Sequence, residues 1–329
     1  MNRFGRIFSI QIFGESHGSV VGILIDGCPA GIPLSPDDFK DDLMRRKPGA
    51  KGTTPRVESD LPVIESGVYN GFTSGAPMLI KFENSNIKSK DYKQFKNQPR
   101  PGHADFTAGV KYGGFSDPTG GGHFSGRLTL ALVSAGVIAK KIISPLSTNA
   151  SLIEAGGTMN IDRAIADAIE NKDSIGGIIQ CTSRGIPAGL GEPFFDSVES
   201  CISHLAFSVP AVKGIEFGSG FGAASMKGSQ HNDVIIDNSG TTGTNNAGGI
   251  NGGISNGNDL VFRVAVKPTS SIGVVQETLN FETNTIEDLK VEGRHDVCIA
   301  LRVPVIIEAI TAIVLADFML LSQKKPLVW

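Results

Sequence analysis

Residues 100–127, RPGHADFTAGVKYGGFSDPTGGGHFSGR, combine two histidines and three cationic side chains with many glycines and little apolar content. Such a segment buries too little apolar surface to offset the entropy lost on ordering, so we expect a ligand or neighbouring chain to hold it. Glycines let the backbone approach that ligand closely, and the cations favour an anion. The segment therefore predicts an anion-binding loop.

Within that segment, His103 lies between Arg100 and Asp105 and is a candidate for proton transfer. The alternative is a structural histidine next to an aspartate that caps a following turn. The glycines at 120–122 precede a helix predicted to begin near Arg127. A glycine run that opens a helix presents free N–H groups and the positive end of the helix dipole, which favours an anion. The spacing matches neither a P-loop nor a dinucleotide-binding turn.

A second loop, GESHG at residues 14–18, matches the G-x-S-x-G pattern of a serine hydrolase. That pattern requires a strand, a sharp turn and a helix, whereas the residues after Gly18 predict a strand. Two other interpretations stay open. The loop is either a polar hairpin turn or a loop in which His17 acts as an acid or base with Ser16 as its hydrogen-bonding neighbour.

Cationic side chains recur in the loops although the net charge is −3. They are Arg45, Arg46, Lys51, Arg56, Arg100, Arg127, Lys267 and Arg294. In a chain of negative net charge they indicate one focused anion pocket rather than a surface for nucleic acid. The turn around Arg294 and Asp296 has a salt-linked turn as its alternative. No spacing of His, Cys and Asp predicts a metal. The residues thus predict a small polyanionic ligand and acid–base chemistry.

Strands and helices of mixed order must position these loops. The alternation of Phe8, Ile10 and Ile12 predicts a strand that forms a hairpin with residues 20–26. Ser35 is the predicted N-cap of a helix ending near Arg46. Further helices are predicted over about 127–143, 161–172 and 304–321, and strands over about 61–71, 76–83, 176–185, 212–221 and 259–270. This order favours an α+β fold with mostly antiparallel sheets, and we expect residues 1–329 to form one domain.

Two segments have competing interpretations. The run 303–321 is the most apolar, but Pro304, Glu308 and Asp317 interrupt it, which favours a buried helix over a membrane span. The glycine- and asparagine-rich residues 240–257 are either a disordered linker or an ordered ligand loop. The four cysteines show no zinc spacing and the N-terminus shows no long apolar stretch, so we expect a cytoplasmic protein with reduced thiols.

Eight motifs occur in one order along the chain: GESHG, RRKPG followed by TTPRVESD, SKDY, RPGHADFTAGVKYG, GGGHFSGR, NNAGGINGGISNG, KPTSS and GRHDVC. From residue 13 to residue 317 the chain resembles the chorismate synthase family. The resemblance implies a β-α-β sandwich, usually assembled as a homotetramer. It also implies 1,4-elimination of phosphate from 5-enolpyruvylshikimate 3-phosphate, the last common step of aromatic amino acid biosynthesis, with reduced FMN required although no net redox change occurs.

The resemblance further implies roles for individual residues. His17 corresponds to the acid near the leaving phosphate, and His103 to the histidine that contacts the reduced flavin. Asp296 and Ser16 correspond to the pair that lets the flavin accept the substrate proton. The implied ligands of the substrate or of NADP are Arg46, Lys51, Arg100 and Arg127, with Arg294 also near the substrate. The implied flavin contacts are His123, Phe124, Ser125, Pro210, Ala211, Gly252, Lys267, Pro268, Thr269, Ser270, Ser271 and Arg294.

The chain also departs from the family pattern. Thr119 and His123 stand where many members have arginine, and Lys51 stands roughly where arginine is common, although lysine offers no bidentate fork. No additional nucleotide-binding segment is visible, so we expect an external flavin reductant, with NADPH near Arg46 as the alternative. Two other functions compete with the lyase. They are a phosphate-ester hydrolase that uses Ser16 or His17 and, less favoured, a flavin- or anion-binding module without activity.

Overall fold

Two antiparallel sheets enclose a layer of helices in the computed structural model, which describes residues 2–54, 58–84, 94–291 and 295–324. The strands are β1 (Arg3–Phe4), β2 (Ser9–Gly14), β3 (Val20–Asp26), β4 (Val63–Ile64), β5 (Val68–Tyr69), β6 (Phe72–Thr73), β7 (Met78–Glu83), β8 (Ser147–Ala155), β9 (Gly177–Arg184), β10 (Val212–Phe217), β11 (Ile250–Asn251), β12 (Ile254–Ser255), β13 (Leu260–Val266), β14 (Gln276–Asn280) and β15 (Thr285–Leu289). The α-helices are α1 (Lys40–Arg46), α2 (Asp105–Lys111), α3 (Thr129–Ile142), α4 (Ile161–Glu170), α5 (Val198–Ser208), α6 (Gly228–His231) and α7 (Pro304–Lys324).

The first sheet has the strand order β1-β2-β3-β7-β4, with every pair antiparallel. Strands β2 and β3 form the predicted hairpin, in which Ile10 lies opposite Ile25 and Ile12 opposite Ile23. Because successive side chains alternate between the two faces of a strand, one face of this sheet is apolar and buried. The hairpin places the GESHG loop at one end of the sheet.

The second sheet has the order β10-β13-β9-β8 and is also antiparallel. Its strand β13 alternates strictly, with Leu260, Phe262, Val264 and Val266 all buried. This regular alternation gives the sheet one apolar face toward the helices. The KPTSS turn follows directly after β13, an inner strand, so it lies where that strand leaves the sheet.

Helices α3 and α7 form the layer between the sheets. Helix α3 packs on β3 of the first sheet, and α7 packs on β8 and β9 of the second. Both helices are apolar on nearly every side, as expected for helices without a solvent-exposed face. In α7, Pro304–Gln323 is long and apolar enough to cross a membrane, but 83% of this stretch is buried inside the protein. The predicted buried helix and the predicted sandwich are confirmed.

The two carboxylates that interrupt the apolar run hold α7 in place. Asp317 accepts hydrogen bonds from the backbone N–H groups of residues 6–8 at 2.7–3.1 Å. Glu308 accepts two bonds of 2.7 Å from Arg45 and one of 3.1 Å from Lys140. Burial opposes the ionisation of Glu308, but these cations outweigh burial and lower the pKa of its carboxyl. The acidic residues in the most apolar helix are therefore satisfied internally.

Local sequence signals agree with the structure in most places. Ser35 donates its backbone N–H to Asp38 at 2.7 Å, and a 3₁₀ turn at Pro36–Phe39 leads into α1. Residues 240–257 contain ordered turns and the β11–β12 hairpin, so the disordered-linker interpretation is wrong. The fully loop-like interpretation of residues 100–127 is also wrong. It missed α2, which has one buried residue, Ala108.

Helices α3 and α7 approach each other closely at Gly136. A Cβ there would lie 2.6 Å from the Cα of Ala309, which no core tolerates without movement. Gly136→Ala should therefore lower the free energy of unfolding by about 1–3 kcal/mol, the usual cost of overpacking. Urea unfolding monitored by circular dichroism measures this change.

Gly109→Ala in α2 is the matched control. A Cβ at Gly109 meets no atom within 4 Å, and alanine favours a helix over glycine by about 1 kcal/mol. We expect this variant to be as stable as the parent or slightly more so. Equal stability of the two alanine variants would contradict the close approach of α3 and α7.

Candidate active site

A cavity of about 220 Å³, the inner cavity, lies where several chain segments end. Helix α1 contributes Arg46, its last residue. Arg127 lies in the 3₁₀ turn Gly126–Leu128 before α3, and Arg302 lies in the 3₁₀ turn Ile299–Arg302 before α7. Both central helices thus begin at this cavity. Its polar lining includes His17, Arg46, Thr54, Glu58, Asp60, Arg100, Ser125, Arg127, Thr269, His295, Asp296 and Arg302.

Asp60 links two of these arginines. Its Oδ2 accepts a hydrogen bond from Arg46 at 3.0 Å, and its Oδ1 accepts one from Arg127 at 2.9 Å. The three side chains are at most 6% exposed. Asp60 itself has a φ of +49°, a left-handed conformation that is uncommon outside glycine. Such strained residues cluster at functional sites, where the surrounding structure holds them.

The two arginines keep donors that nothing else in the described part of the chain satisfies. Nε and Nη1 of Arg46 and Nη2 of Arg127 are buried and have no hydrogen-bond partner among the described residues. A buried donor without an acceptor is costly, by roughly 1–3 kcal/mol or more for a charged group. The guanidinium fork matches carboxylate and phosphate geometry. The inner cavity is therefore built to receive an anion.

The pKa of Arg46 also shows that its buried guanidinium has too few acceptors around it. Burial, joined by the charges of Arg302 and Arg127, lowers the pKa of its guanidinium to about 10, although Asp60 opposes this shift. An anion bound in the cavity would favour the charged form and complete the ion pairs. The predicted roles of Arg46 and Arg127 as anion ligands fit this environment.

Asp296 lies on another wall of the inner cavity. Its Oδ1 accepts the backbone N–H of Thr54 at 2.9 Å, and both its oxygens accept from Arg302 at 3.1 and 3.2 Å. Arg302 also donates from Nε to the carbonyl oxygen of Arg46 at 2.9 Å. Arg302 therefore joins the end of α1 to Asp296. Sequence reasoning missed this arginine.

A turn of three glycines separates the two predicted catalytic histidines. Gly120, Gly121 and Gly122 have φ angles of 61°, 82° and 51°. A Cβ on Gly120 would overlap the His17 ring, and a Cβ on Gly121 would lie 3.6 Å from Nε2 of His103. His17 and His103 thus flank adjacent residues of one turn. The helix predicted to begin near Arg127 is confirmed, because the 3₁₀ turn Gly126–Leu128 leads directly into α3. The glycine run itself lies in the separate segment Thr119–Phe124 and not in the first turn of that helix.

His103 belongs to a bonded array with Asp105 and Arg100. Its Nδ1 lies 2.6 Å from Oδ1 of Asp105, while Arg100 donates to that carboxylate at 2.8 and 2.9 Å. Burial opposes the ionisation of Asp105, but Arg100 and His103 outweigh it and lower the pKa of its carboxyl strongly. Arg100 also donates to Ser271 at 3.0 Å. Arg100 therefore holds neighbouring side chains as well as lining the cavity.

A larger cavity of about 620 Å³, the outer cavity, adjoins the first. The two share Gly120, Ser125, Gly126, Thr129, Pro210, Thr269 and Ile299. Its remaining lining combines apolar residues of β2, α3 and α5 with the KPTSS turn and with polar side chains that include Arg3, His103 and His204. Lys267 donates to the carbonyl oxygen of Gly102 and to Ser270, both at 2.9 Å. Burial, followed by the charge of Lys213, lowers the pKa of Lys267.

Most of the predicted flavin contacts line the outer cavity. They are His103, His123, Phe124, Ser125, Pro210, Ala211, Lys267, Pro268, Thr269, Ser270 and Ser271. Ala211 has a φ of +76°, and Oγ1 of Thr269 is buried without a partner among the described residues. His123 lies 2.9 Å from the carbonyl oxygen of Gly14 and 3.1 Å from Oδ1 of Asn2, so its ring also anchors the N-terminal strand.

Several predicted site residues lie elsewhere. Gly252 is in the turn between β11 and β12, and it lines neither cavity. Lys51 is exposed and lines neither cavity. Ser16 is fully buried, and its N–H donates to the carbonyl oxygen of Gly122 at 3.0 Å. Arg294, Arg56 and the SKDY motif lie outside the described residues.

The fold and the two joined cavities are those of an enzyme with room for a small polyanion and for a second group next to it. No group of three His, Cys, Asp or Glu side chains in the described ranges could hold a metal ion. Strand β3 follows the GESHG loop, whereas a G-x-S-x-G nucleophile lies between a strand and a helix. In the described residues, this loop therefore lacks the surroundings of a serine hydrolase nucleophile.

Comparisons with known proteins identify the family. The sequence model of the chorismate synthase family matches residues 8–320. The chain is 62% identical to the chorismate synthase of Chitinophaga pinensis, over 99% of this chain and 98% of the other. It is 45% identical to that of Dehalococcoides mccartyi, over 99% and 98%. A solved chorismate synthase structure has the same fold, with a TM-score of 0.74 at 24% identity over 97% of this chain and 93% of the other.

The chain belongs to the chorismate synthase family. It is a carbon–oxygen lyase of aromatic amino acid biosynthesis, which eliminates phosphate from 5-enolpyruvylshikimate 3-phosphate to give chorismate. Its substrate is a small anion, as the cation-rich loops predicted. No finding favours the hydrolase alternative.

The contact between Gly120 and His17 gives a testable consequence. Gly120→Ala should displace the His17 ring and lower turnover by about 10²-fold, the effect of a displacement near 1 Å in an active site. Gly71→Ala is the matched control, because Gly71 has a φ of +79° and no atom within 4 Å of its Cβ position. Both variants carry the left-handed strain, so steady-state chorismate formation separates strain from displacement. Equal turnover in the two variants would contradict the contact.

Proposed function

We propose that the inner cavity binds the substrate and that the outer cavity binds reduced FMN. The observation that carries this proposal is the set of buried, unpaired donors on Arg46 and Arg127 in a cavity that opens into a second, larger one. The substrate carries two carboxylates and a phosphate, which require such donors. The larger cavity has room for a planar ring system next to the bound substrate.

The chemistry of the outer cavity supports a flavin there. Its apolar wall suits a ring system, while Lys267 and the hydroxyls of residues 269–271 suit a phosphate and ribityl hydroxyls. Thr269 carries a buried Oγ1 without a partner in the described ranges, which a ribityl or phosphate group would satisfy. When bound, reduced FMN supplies electron density and a proton acceptor for the elimination.

The side chains around the substrate would divide the remaining work. Arg46, Arg127 and Arg302 bind and orient the anionic groups, and Arg100 supports them by holding Asp105 and Ser271. His17 donates a proton to the departing phosphate from the boundary of the inner cavity. Asp296, supported by Ser16, assists removal of the ring proton. Since the two cavities meet at Gly120, His17 and His103 act on opposite sides of one turn.

We also propose that the chain forms a single domain and assembles as a homotetramer. Phe194, Phe195 and Phe221 are 90%, 90% and 84% exposed, which supports burial against other subunits. Gly252 lies outside both cavities of its own chain, so a flavin contact by Gly252 would have to cross a subunit interface. We place the enzyme in the cytoplasm with an external flavin reductant, and NADPH binding near Arg46 is the alternative.

Anaerobic incubation with 5-enolpyruvylshikimate 3-phosphate, with and without reduced FMN, tests the proposal. We expect chorismate absorbance with reduced FMN only. Chorismate formed equally without flavin would refute the cofactor assignment. Phosphate release with incorporation of ¹⁸O from water, without chorismate, would support the hydrolase instead. Tight flavin binding without turnover would indicate a binding module.

Replacement of either histidine should slow the reaction. His17→Ala and His103→Ala should each lower turnover by roughly 10²–10⁴-fold, the range for lost acid–base catalysis. His231→Ala is the control, because His231 lies in α6 and lines neither cavity. Stopped-flow measurement of chorismate formation at saturating flavin gives the rates. A variant with the parental rate would show that the histidine has no catalytic role.

A further inference from the structure

Asn84 links the His17 loop to the substrate-binding cavity. It follows β7 directly and is 8% exposed. Its Nδ2 donates to the carbonyl oxygens of Glu15 and Gly18 at 3.0 and 2.7 Å. Its Oδ1 accepts from Nε of Arg127 at 2.5 Å. One buried amide therefore joins both ends of the His17 loop to the guanidinium group of the inner cavity.

The chemistry of these contacts requires an amide. The two N–H groups of Nδ2 face two carbonyl oxygens, and Oδ1 faces a donor, so the orientation of the amide is determined by its partners. A carboxylate of the same shape could accept from Arg127 but could not donate to the loop. A hydroxyl could serve the loop with one hydrogen bond at most. No other natural side chain of this length offers two donors and an acceptor in this arrangement.

The contacts also account for how Arg127 is used. Its Nε is bound by Asn84 and its Nη1 by Asp60, which leaves Nη2 buried without a partner among the described residues. The loop that carries His17 is held at residue 15, before the histidine, and at residue 18, after it. The same side chain thus sets the direction of the free Arg127 donor and the position of the histidine.

We propose that Asn84 is a positioning residue that sets His17 relative to the substrate-binding Arg127. The inference rests on the proposed roles of His17 and Arg127. Asn84 does not line the inner cavity, so it acts through these two residues rather than on the substrate. Its two hydrogen bonds to the loop affect the proton donor, and its bond to Arg127 affects substrate binding.

Asn84→Asp separates the two effects. The carboxylate keeps the volume and the acceptor for Arg127, but it replaces two hydrogen bonds to the loop by repulsion between oxygens. We expect kcat to fall by about 10²-fold, the effect of a displacement near 1 Å, with the substrate KM within about threefold of the parent. Asn84→Ala loses all three bonds, so we expect the same fall in kcat together with a raised KM.

The decisive measurement is a double-mutant cycle with His17→Ala. If Asn84 acts through His17, Asn84→Asp should lower kcat by less than about twofold in the His17→Ala background. Unfolding midpoints and FMN binding are measured for each variant. If Asn84→Asp does not fold, Asn84→Ser replaces it in the same cycle, since serine keeps one donor at most.

Asn258→Asp is the matched control. Asn258 donates from Nδ2 to Gly240 at 3.1 Å and to Asn256 at 3.0 Å, and it accepts from the N–H of Thr242 at 3.0 Å. Like Asn84, it donates two hydrogen bonds, accepts one and lines neither cavity. Unlike Asn84, its partners in these bonds are Gly240, Asn256 and Thr242 rather than Arg127 and the His17 loop. We expect its kcat and KM to match the parent.

Three results would overturn the proposal. They are a parental kcat for Asn84→Asp, the same fall in kcat with and without His17, and an equal fall in the Asn258→Asp control. If the parent itself forms no chorismate with reduced FMN, the proposed function fails first. An active parent with independent losses in the cycle refutes only the positioning role.

Discussion

The active site depends on the two salt bridges that the Asp60 carboxylate makes with Arg46 and Arg127. The carboxylate lies buried between Arg46 and Arg127, two guanidinium groups that would repel each other without it. It uses one nitrogen of each, so the other buried donors stay directed at the inner cavity. The sandwich makes this arrangement rigid, because Arg46 ends α1 and Arg127 precedes a helix buried between the sheets. The site is thus prepared for an anion before the substrate arrives.

The glycine turn at 120–122 imposes the second constraint. It passes so close to His17 that only glycine fits at Gly120, and Gly121 faces His103. The turn therefore divides the space into a cationic inner cavity and a larger, more apolar outer cavity while leaving the two in contact. An elimination that uses a bound anion and a neighbouring cofactor needs this closeness. Asp60 and Asn84 both accept hydrogen bonds from Arg127, and Asn84 also donates to the loop that carries His17. These bonds connect Arg127 to that loop.

The regular elements were predictable because their signals are local. Apolar spacing predicted α3 and α7, and alternation predicted the β2–β3 hairpin. Helix α2 was missed because it buries only Ala108 and so lacks an apolar face. The candidate site was predictable mainly through the family motifs, which carry most of its histidines and arginines. Arg302, Asp60 and Asn84 were missed because their partners are remote in sequence, 256 residues away for Arg302 and Arg46 and 67 for Arg127 and Asp60.

Calorimetric titration with 5-enolpyruvylshikimate 3-phosphate tests most directly whether the free donors of Arg46 and Arg127 bind the substrate. Arg46→Lys and Arg127→Lys keep a cation near Asp60 but lose the fork, so each should weaken binding by about tenfold or more, since hydrogen bonds to charged groups contribute about 1.5–3 kcal/mol. Arg45→Lys, whose side chain pairs with Glu308 outside the cavity, should bind like the parent. Parental affinity in both Arg46→Lys and Arg127→Lys would contradict the account.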